Sequence, residues 1–522
     1  MNFEKRHINT FIYFICSLSV YVTLSVCLSF YFDLTRHWTD IYDQELTLAY
    51  NALLFNNGIL QEFIVHSGYF TILFLSILIK LSHFLDLTEI YNLRTLLDYD
   101  NIDNPLQSII TISRIYSGVS VAIWCLAVNL LFYLISRSKL FSFILTLILF
   151  FLPGTVFHIY QLRTELYASF FMVLSFVMII SFLSAQKDED YIKKIILFFI
   201  FIFCAILNKS QVFFFLFGII SLSLFFHTKL YEIKINIFNN INSKKLLFYI
   251  YSIIFIYLLF KINLFDGTYK SIIFNVLNLS IFNFLFYILT KRSKINPLRF
   301  LININLLLIL SFVTLKLILF IHPSTNEAAF INTIIDIMGV ARYTVDLSSA
   351  EISIVNFINI IFFNLEKVYL HYFQSINFFT ILFFLILIMN LLYKKKIGTK
   401  FFYFNLLCIF MPLIFSFISS FREIQIVYNI FWDFILLLPL CVFYTKINIT
   451  INYLLLVSLI FLCSYYNYNN IKQLKYISSV QGNKMTSKIK VCNELKNNKE
   501  NYLEVFQKRI PKEKYLTICS DM

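Results

Sequence analysis

The stretch at residues 11–31 reads FIYFICSLSVYVTLSVCLSFY and carries no charged side chain. About 20 apolar residues are enough for a helix to cross a bilayer core of about 30 Å. The stretch lacks a small-residue cleavage site, which indicates a membrane anchor rather than a cleaved signal peptide. The whole chain of 522 residues is 59% hydrophobic, with a mean hydropathy of +0.77. Soluble domains are far less apolar, so the composition predicts an integral membrane protein.

Further apolar stretches follow the first one and predict an all-α polytopic membrane protein with about 13 transmembrane helices. They lie at 112–135, 140–158, 165–185, 192–208, 211–227, 246–263, 271–290, 298–321, 373–393, 401–420, 428–444 and 449–466. Basic pairs, such as Arg137 with Lys139 and Lys193 with Lys194, fall on alternate connections. Because cytoplasmic loops carry an excess of Lys and Arg, these connections and the N-terminus are predicted to face the cytoplasm.

The same alternation assigns residues 32–111 to one large outer segment, which we call the first outer loop. Residues 69–85 within it are apolar but short, and a crossing there would reverse the side of every later basic pair. We therefore predict a juxtamembrane or re-entrant helix that packs against protein. A second outer loop is expected at 322–354, and an amphipathic stretch at 355–370 is expected to lie along the membrane interface.

A polar tail at 467–522 follows the transmembrane domain at 1–466. Thirteen spans would place this tail outside, whereas its basic charge favours the cytoplasmic side. The nine cysteines follow no metal-ligand spacing. Of these cysteines, Cys492 and Cys519 are the two that could pair, provided that the tail is exported. The net charge of +14 is concentrated in short clusters between spans, where it signals topology, so no nucleic-acid partner is expected.

The acidic segment Asp40-Ile41-Tyr42-Asp43-Gln44-Glu45 comes shortly after the first span, in the first outer loop. A carboxylate at the mouth of a helix bundle is costly to keep from water, which makes this segment a candidate site. Asp43 is the first candidate, although an Asp there could also cap the helix that follows. Asp40 and Glu45 could be solvated loop charges or could join Asp43 on a divalent cation.

Basic residues on the outer side are exceptions to the orientation signal, and four are found there. They are Arg163, Lys209, Arg342 and Arg422. Cations at this boundary suit a lipid-linked phosphate, although each could instead reach lipid headgroups. Glu165 lies at the start of a span, where it could be a site residue or could interact favourably with the positive end of the helix dipole. The sequence contains no HExxH, CxxC, Walker or GxGxxG motif, so hydrolytic zinc, redox and nucleotide sites gain no support.

The order of these features resembles the GT-C superfamily of polytopic glycosyltransferases, which includes protein O-mannosyltransferases and lipid A aminoarabinose transferases. The matching stretches are Asp43, Ala49-Tyr50-Asn51-Ala52-Leu53-Leu54, Gly58, Val65-His66-Ser67-Gly68-Tyr69, Pro153, Arg163-Thr164-Glu165, Lys209, and Arg422 before Leu436-Leu437-Leu438-Pro439. The likeness covers about residues 10–445. The family's Asp-Glu pair reads Asp43-Gln44 in this chain, and its His-Pro turn reads His66-Ser67.

The resemblance implies a glycosyltransferase that takes a sugar from a polyprenyl-phosphate donor in the membrane lipid and gives it to a lipid, glycan or protein acceptor. Asp43 would be the catalytic base, and Lys209, Arg422 and Arg163 would bind the donor phosphate. The residues implied to position the acceptor or a divalent cation are Glu165, His66, Asp40 and Glu45. His66 could equally be a packing histidine. The cofactor is otherwise unknown.

The expected location is the bacterial inner membrane with the site facing the periplasm, and the endoplasmic reticulum with a lumenal site has the same topology. One direct displacement would invert the configuration of the sugar. Two alternatives stay open from the sequence. An O-antigen-like polymerase would carry its site in a large late loop, whereas a flippase or transporter of lipid-linked oligosaccharides would bury charges at mid-span depth.

Overall fold

The computed structural model describes the chain in several pieces. They are residues 2–59, 61–62, 68–183, 188–209, 212, 313–314, 378–395, 397–398, 401–402, 404–406, 408–409, 426–446, 457–458, 460–461, 492, 509–511, 513–514 and 517–519. These residues are mostly helical and form no strand. The all-α prediction is therefore confirmed for the described part of the chain. The full set of about 13 spans, the second outer loop and the stretch at 355–370 extend beyond it.

The helices of the described part are numbered in chain order. They are α1 (Asn2–Tyr31), α2 (Tyr42–Asn56), α3 (Tyr69–Phe84), α4 (Leu93–Leu97), α5 (Asp103–Ser136), α6 (Lys139–Phe150), α7 (Pro153–Tyr160), α8 (Thr164–Leu183), α9 (Asp188–Asn208), α10 (Phe378–Leu392) and α11 (Asp433–Lys446). Short 3₁₀ segments lie at Trp38–Ile41, Ile426–Phe431 and Thr517–Cys519.

Four segments of the described residues are long and apolar enough to cross a membrane. They are Ile8–Tyr31, Asp103–Ser136, Thr164–Ser181 and Asn429–Lys446. Helices α6 and α7 would make a fifth if they form one span, but they meet at a bend of 65°. The chain is thus a membrane protein. The stretch predicted as a single span at 140–158 is instead a broken helix, because Pro153 cannot continue the hydrogen bonding of α6 and begins α7.

Helix α5 is the centre of the bundle and packs against α1, α6, α7, α8 and α11. Trp124 of α5 has no exposed surface and donates a hydrogen bond from Nε1 to Ser169 of α8 at 3.1 Å. Ser120 and Tyr167 pair across the same interface at 2.7 Å. Small residues bring α1 close, since a Cβ at Gly118 would lie 3.1 Å from the Ser29 hydroxyl. At 34 residues, α5 is about 50 Å long, so it projects beyond the bilayer core.

The short helix predicted at 69–85 is present as α3, and it packs against α2, α5, α8 and α9. Its start is fixed by Asn208, the last residue of α9. The backbone N–H groups of Gly68 and Thr71 donate to the backbone and side-chain oxygens of Asn208, each at 3.0 Å. The Asn208 amide in turn donates to the backbone oxygen of Thr164. The beginnings of α3 and α8 and the end of α9 therefore meet at one end of the bundle.

The described residues of the C-terminal tail contact the first outer loop, at that same end. Cys492 and Cys519 form the disulfide that the sequence allowed. Arg509 pairs with Glu62, and Lys514 donates to the backbone oxygen of Tyr99 at 2.7 Å. These contacts put the described part of the tail on the same side of the bundle as the loop.

The break between α6 and α7 generates a prediction. A Cβ at position 154 would lie 2.8 Å from Asn429 Cβ and 3.1 Å from the backbone nitrogen of Ile430. Gly154→Ala should therefore push the Ile426–Phe431 segment away and cost about 1–3 kcal/mol of stability, measured by thermal unfolding in detergent. Gly118→Ala is the matched control, because its one tight contact would be the Ser29 hydroxyl, which can rotate, and Ser25 lies at ordinary van der Waals distance. Equal losses for the two variants would contradict the packing described at this break.

Candidate functional site

Glu165, in the first turn of α8, is the centre of a buried ion cluster. Its carboxylate has no exposed surface, and Oε1 lies 2.9 Å from Lys209 Nζ. Oε2 lies 3.3 Å from Arg163 Nε. The structure thus brings together three residues that the sequence singled out separately. We call them the Glu165 cluster.

The chain places these three residues through the antiparallel packing of α8 and α9. Arg163 and Glu165 flank Thr164, where the connection from α7 enters α8, and Lys209 directly follows the last residue of α9. The hydrogen bond from Asn208 to the backbone of Thr164 holds the two helix ends together. Lys209 is therefore fixed opposite the carboxylate that needs it.

A second buried carboxylate, Glu45 in the first turn of α2, has a similar arrangement. Its Oε2 accepts hydrogen bonds from Arg114 Nε at 3.0 Å and Nη2 at 2.9 Å. Arg36 Nη2 lies 3.5 Å from Oε1. Glu45 has no exposed surface, which excludes the solvated loop charge considered above. These three residues are called the Glu45 cluster.

Arg36 connects the Glu45 cluster to the end of α7. Its guanidinium lies 3.8 Å from the centroid of the Tyr160 ring, a cation–π contact, and it also donates to the backbone oxygen of Tyr160. Arg114 donates to the backbone oxygen of Arg36, which holds that segment against α5. Because Tyr160 lies three residues before Arg163, both clusters border the α7–α8 connection.

A third polar contact fixes the chain just before Asp40. Trp38 Nε1 donates to Asp103 Oδ1 at 2.7 Å, and His37 Nε2 lies 3.2 Å from the same oxygen. The other ring nitrogen of His37 lies 2.8 Å from the Thr39 hydroxyl. The start of the first outer loop is thus anchored to the start of α5.

The polar residues of the Ala49–Leu54 motif have a structural role. Burial raises the pKa of Tyr50 above its ordinary value, so its hydroxyl stays protonated and donates to Glu62 at 3.1 Å. Asn51 accepts a hydrogen bond from the backbone nitrogen of Glu62 at 3.0 Å. Both contacts hold Glu62 in place, and Glu62 is also the residue that pairs with Arg509 of the tail.

The remaining predicted site residues are placed in part or not at all. The backbone of Asp40 lies in the Trp38–Ile41 turn and that of Asp43 in the first turn of α2, but their side chains lie outside the described part. Outside it also lie His66, Arg342 and Arg422. Within the described residues, no three His, Cys, Asp or Glu side chains come together as a metal-ion site. The base, all three phosphate ligands and the divalent cation stay predictions.

The sequence did not single out Arg36, His37 or Arg114. A signal existed for Arg114, since it is a charge inside the stretch predicted to cross the membrane at 112–135.

In each cluster two cations share one carboxylate. The carboxylates are fully buried, whereas the Arg36 and Arg163 side chains retain 7% and 9% exposure. Each cluster thus carries one more cation than it has carboxylates, and this excess positive charge suits an anionic ligand such as a phosphate.

Removing the central charge of the Glu165 cluster should destabilise the fold. Glu165→Gln leaves Lys209 and Arg163 buried side by side, which should cost about 3–5 kcal/mol, measured by thermal unfolding of the purified protein. Glu89→Gln is the control, because Glu89 is exposed in the first outer loop and should change stability by about 0.5 kcal/mol or less. Unchanged unfolding of Glu165→Gln would refute the pairing.

Three comparisons with known proteins complete the description of the site. No family model, no curated protein and no solved structure matches the chain. The resemblance to the GT-C superfamily stays an expectation from the quoted motifs. Function is therefore inferred from the geometry of the Glu165 and Glu45 clusters.

Proposed function

We propose that the chain is a membrane glycosyltransferase that moves a sugar from a polyprenyl-phosphate donor to a lipid, glycan or protein acceptor on the non-cytoplasmic face. One observation carries the proposal. Two carboxylates each hold two cations around the α7–α8 connection, at the end of the bundle where the first turn of α2 carries Asp43. A lipid-linked phosphate entering from the membrane would meet these cations.

The Glu165 cluster supplies the phosphate-binding groups in this proposal. Arg163 can bind a phosphate through two parallel hydrogen bonds, and Lys209 adds a compact charge. As the bond between the sugar and the phosphate breaks, negative charge grows on the departing phosphate. Cations already held in place by Glu165 stabilise that charge without reorganising. Arg422 would join them from the chain just before the Ile426–Phe431 segment, which Ser169 of α8 contacts at 2.7 Å through the oxygen of Ile430.

The Glu45 cluster supplies the support for the base. Asp43 lies two positions before Glu45 in the same helical turn, and Arg114 fixes that turn against α5. As the acceptor oxygen or nitrogen bonds to the anomeric carbon, the Asp43 carboxylate takes its proton. Such a base contributes about 10²–10⁴-fold to a rate. The displacement is a single step, and it inverts the sugar.

The tail supports a site on the non-cytoplasmic face. Disulfides persist in oxidising compartments, and the chain segment that carries the Cys492–Cys519 bond contacts the first outer loop. A periplasmic site in a bacterial inner membrane satisfies both features. An O-antigen-like polymerase would need a late loop such as 322–354, which lies outside the described residues.

A flippase or transporter of lipid-linked oligosaccharides is the second candidate, and one observation favours it. Asp433 is a buried carboxylate at the start of α11, beside the break between α6 and α7. Buried charge at a broken helix is typical of transport paths. Both candidates bind a lipid phosphate, so sugar transfer is the property that separates them.

The proposal predicts that membranes carrying the protein transfer radiolabelled sugar from polyprenyl-phosphate donors to endogenous acceptors. Asp43→Asn should lower the transfer rate by about 10²–10⁴-fold through loss of the base. Lys209→Gln should lower it by about 10²–10³-fold through loss of a charge that stabilises the transition state. Asp86→Asn is the matched control in the same loop, because Asp86 is exposed and Asn tolerates its left-handed backbone at φ 56°.

The outcomes test the assignment of Asp43 as the base independently of the assignment of the protein as a glycosyltransferase. Equal transfer by wild type and Asp43→Asn would remove Asp43 from the mechanism and keep the glycosyltransferase. Failure to transfer any donor of a broad panel, together with movement of labelled lipid-linked oligosaccharide across proteoliposomes, would favour the flippase.

A further inference from the structure

A second group of buried polar atoms lies at the break between α6 and α7. Asp433, the first residue of α11, is 1% exposed, and Asn429, in the preceding 3₁₀ segment, is 4% exposed. Within the described part of the chain, neither carboxylate oxygen of Asp433 has a hydrogen-bond partner, and Asn429 Oδ1 has none either. Buried polar atoms are nearly always paired, so this group calls for an explanation.

The glycine at position 154 shows where the Asp433 carboxylate points. A Cβ on Gly154 would lie 3.2 Å from Asp433 Oδ2 and 2.8 Å from Asn429 Cβ, so glycine is what admits the close approach. Thr155, the next residue, has no exposed surface, and its hydroxyl also lacks a partner among the described residues. Asp433 and Asn429 therefore lie against the first turn of α7, which also carries Thr155.

An ionised carboxylate inside a membrane bundle is unfavourable unless something neutralises it. A proton would neutralise Asp433 and supply one hydrogen bond, but the Thr155 hydroxyl, a further donor of the group, bonds to neither Asp433 nor Asn429. A metal cation accepts electron pairs from several oxygens at once. The surplus of acceptor oxygens at this break therefore favours a metal cation over a proton.

The charge of the group limits the kind of cation. One carboxylate balances one positive charge, whereas a divalent ion would leave a net charge buried. Oxygen ligands suit hard cations. Discontinuous membrane helices recur at sodium sites because their unwound turns offer backbone carbonyls beside the side-chain ligands. Phe151 and Leu152 form the break between α6 and α7.

We propose that Asp433, Asn429 and the turn between α6 and α7 form a binding site for a monovalent cation of the size of sodium. The bound ion joins α7 to the Ile426–Phe431 segment and to α11. Helix α7 leads into Tyr160 and Arg163, so occupancy of this site steadies the α7–α8 connection that borders both clusters. The site does not depend on whether the protein transfers a sugar or moves a lipid.

The direct test is binding of radioactive sodium to the full-length protein in detergent. Wild type should bind it saturably, and unlabelled sodium should displace it while choline should not. Asp433→Asn should weaken binding by about tenfold or more, since even residues behind metal ligands have effects of that size. Asn390→Leu is the control and should leave sodium binding unchanged, because Asn390 is a buried amide of α10 that pairs with Asn405.

Thermal unfolding gives an independent readout. At constant ionic strength, replacing choline chloride by sodium chloride should raise the unfolding temperature of wild type, because a ligand of the native state stabilises it. Asp433→Asn should lose that response while staying folded, since the amide keeps the shape and removes the buried charge. If Asp433→Asn does not fold, Asn429→Ala carries the same test.

Three results would overturn the proposal. They are absence of saturable sodium binding by wild type, equal binding by wild type and Asp433→Asn, and stabilisation by acid rather than sodium that Asp433→Asn abolishes. The last result would identify the group as a proton site.

Discussion

A buried carboxylate that must be paired with a cation is the constraint on which the site end of this bundle depends. Glu165 has no exposed surface and is held by Lys209 and Arg163. If either end of the α8–α9 hairpin moved, charge would be left buried without compensation, at a cost of several kcal/mol. Asn208 extends the constraint to α3 through the backbone of Gly68 and Thr71, so three helix ends share one polar junction.

The Glu45 cluster repeats this design with different elements and thereby positions the chain that would carry chemistry. Arg114 of α5 pairs with Glu45, and Arg36 contacts both Glu45 and the Tyr160 ring. The first turn of α2 and the end of α7 are thus fixed relative to each other. In the proposed glycosyltransferase, the carboxylates keep cations in place before the donor arrives, which is how charge stabilisation avoids a reorganisation cost.

Hydropathy and basic residues were enough to predict α1, α5, α8, α9 and the short helix α3, because each is written in a continuous local pattern. The partners of Glu45 were not predictable in that way. Arg114 lies 69 residues away in sequence, and local hydrophobic periodicity carries no information about such a long-range contact. Asp433 is visible as a charge inside the stretch predicted to cross the membrane at 428–444, but its neighbour Gly154 lies far away in sequence, so the contact could not be predicted. Pro153 was visible as a break signal, yet only the packing of α7 on Ile426–Phe431 shows that the helix turns there by 65°.

The central claim is that the carboxylate-held cations bind a lipid phosphate. Its most direct measurement is the affinity of the nanodisc-embedded protein for polyprenyl phosphate, with the uncharged polyprenol as competitor. Lys209→Gln keeps Arg163 as a partner for Glu165, and it should weaken phosphate binding by about tenfold or more, the loss of one hydrogen bond to a charged group. Polyprenol should compete poorly. Equal affinity for the phosphate and the alcohol, or no effect of Lys209→Gln, would contradict the account.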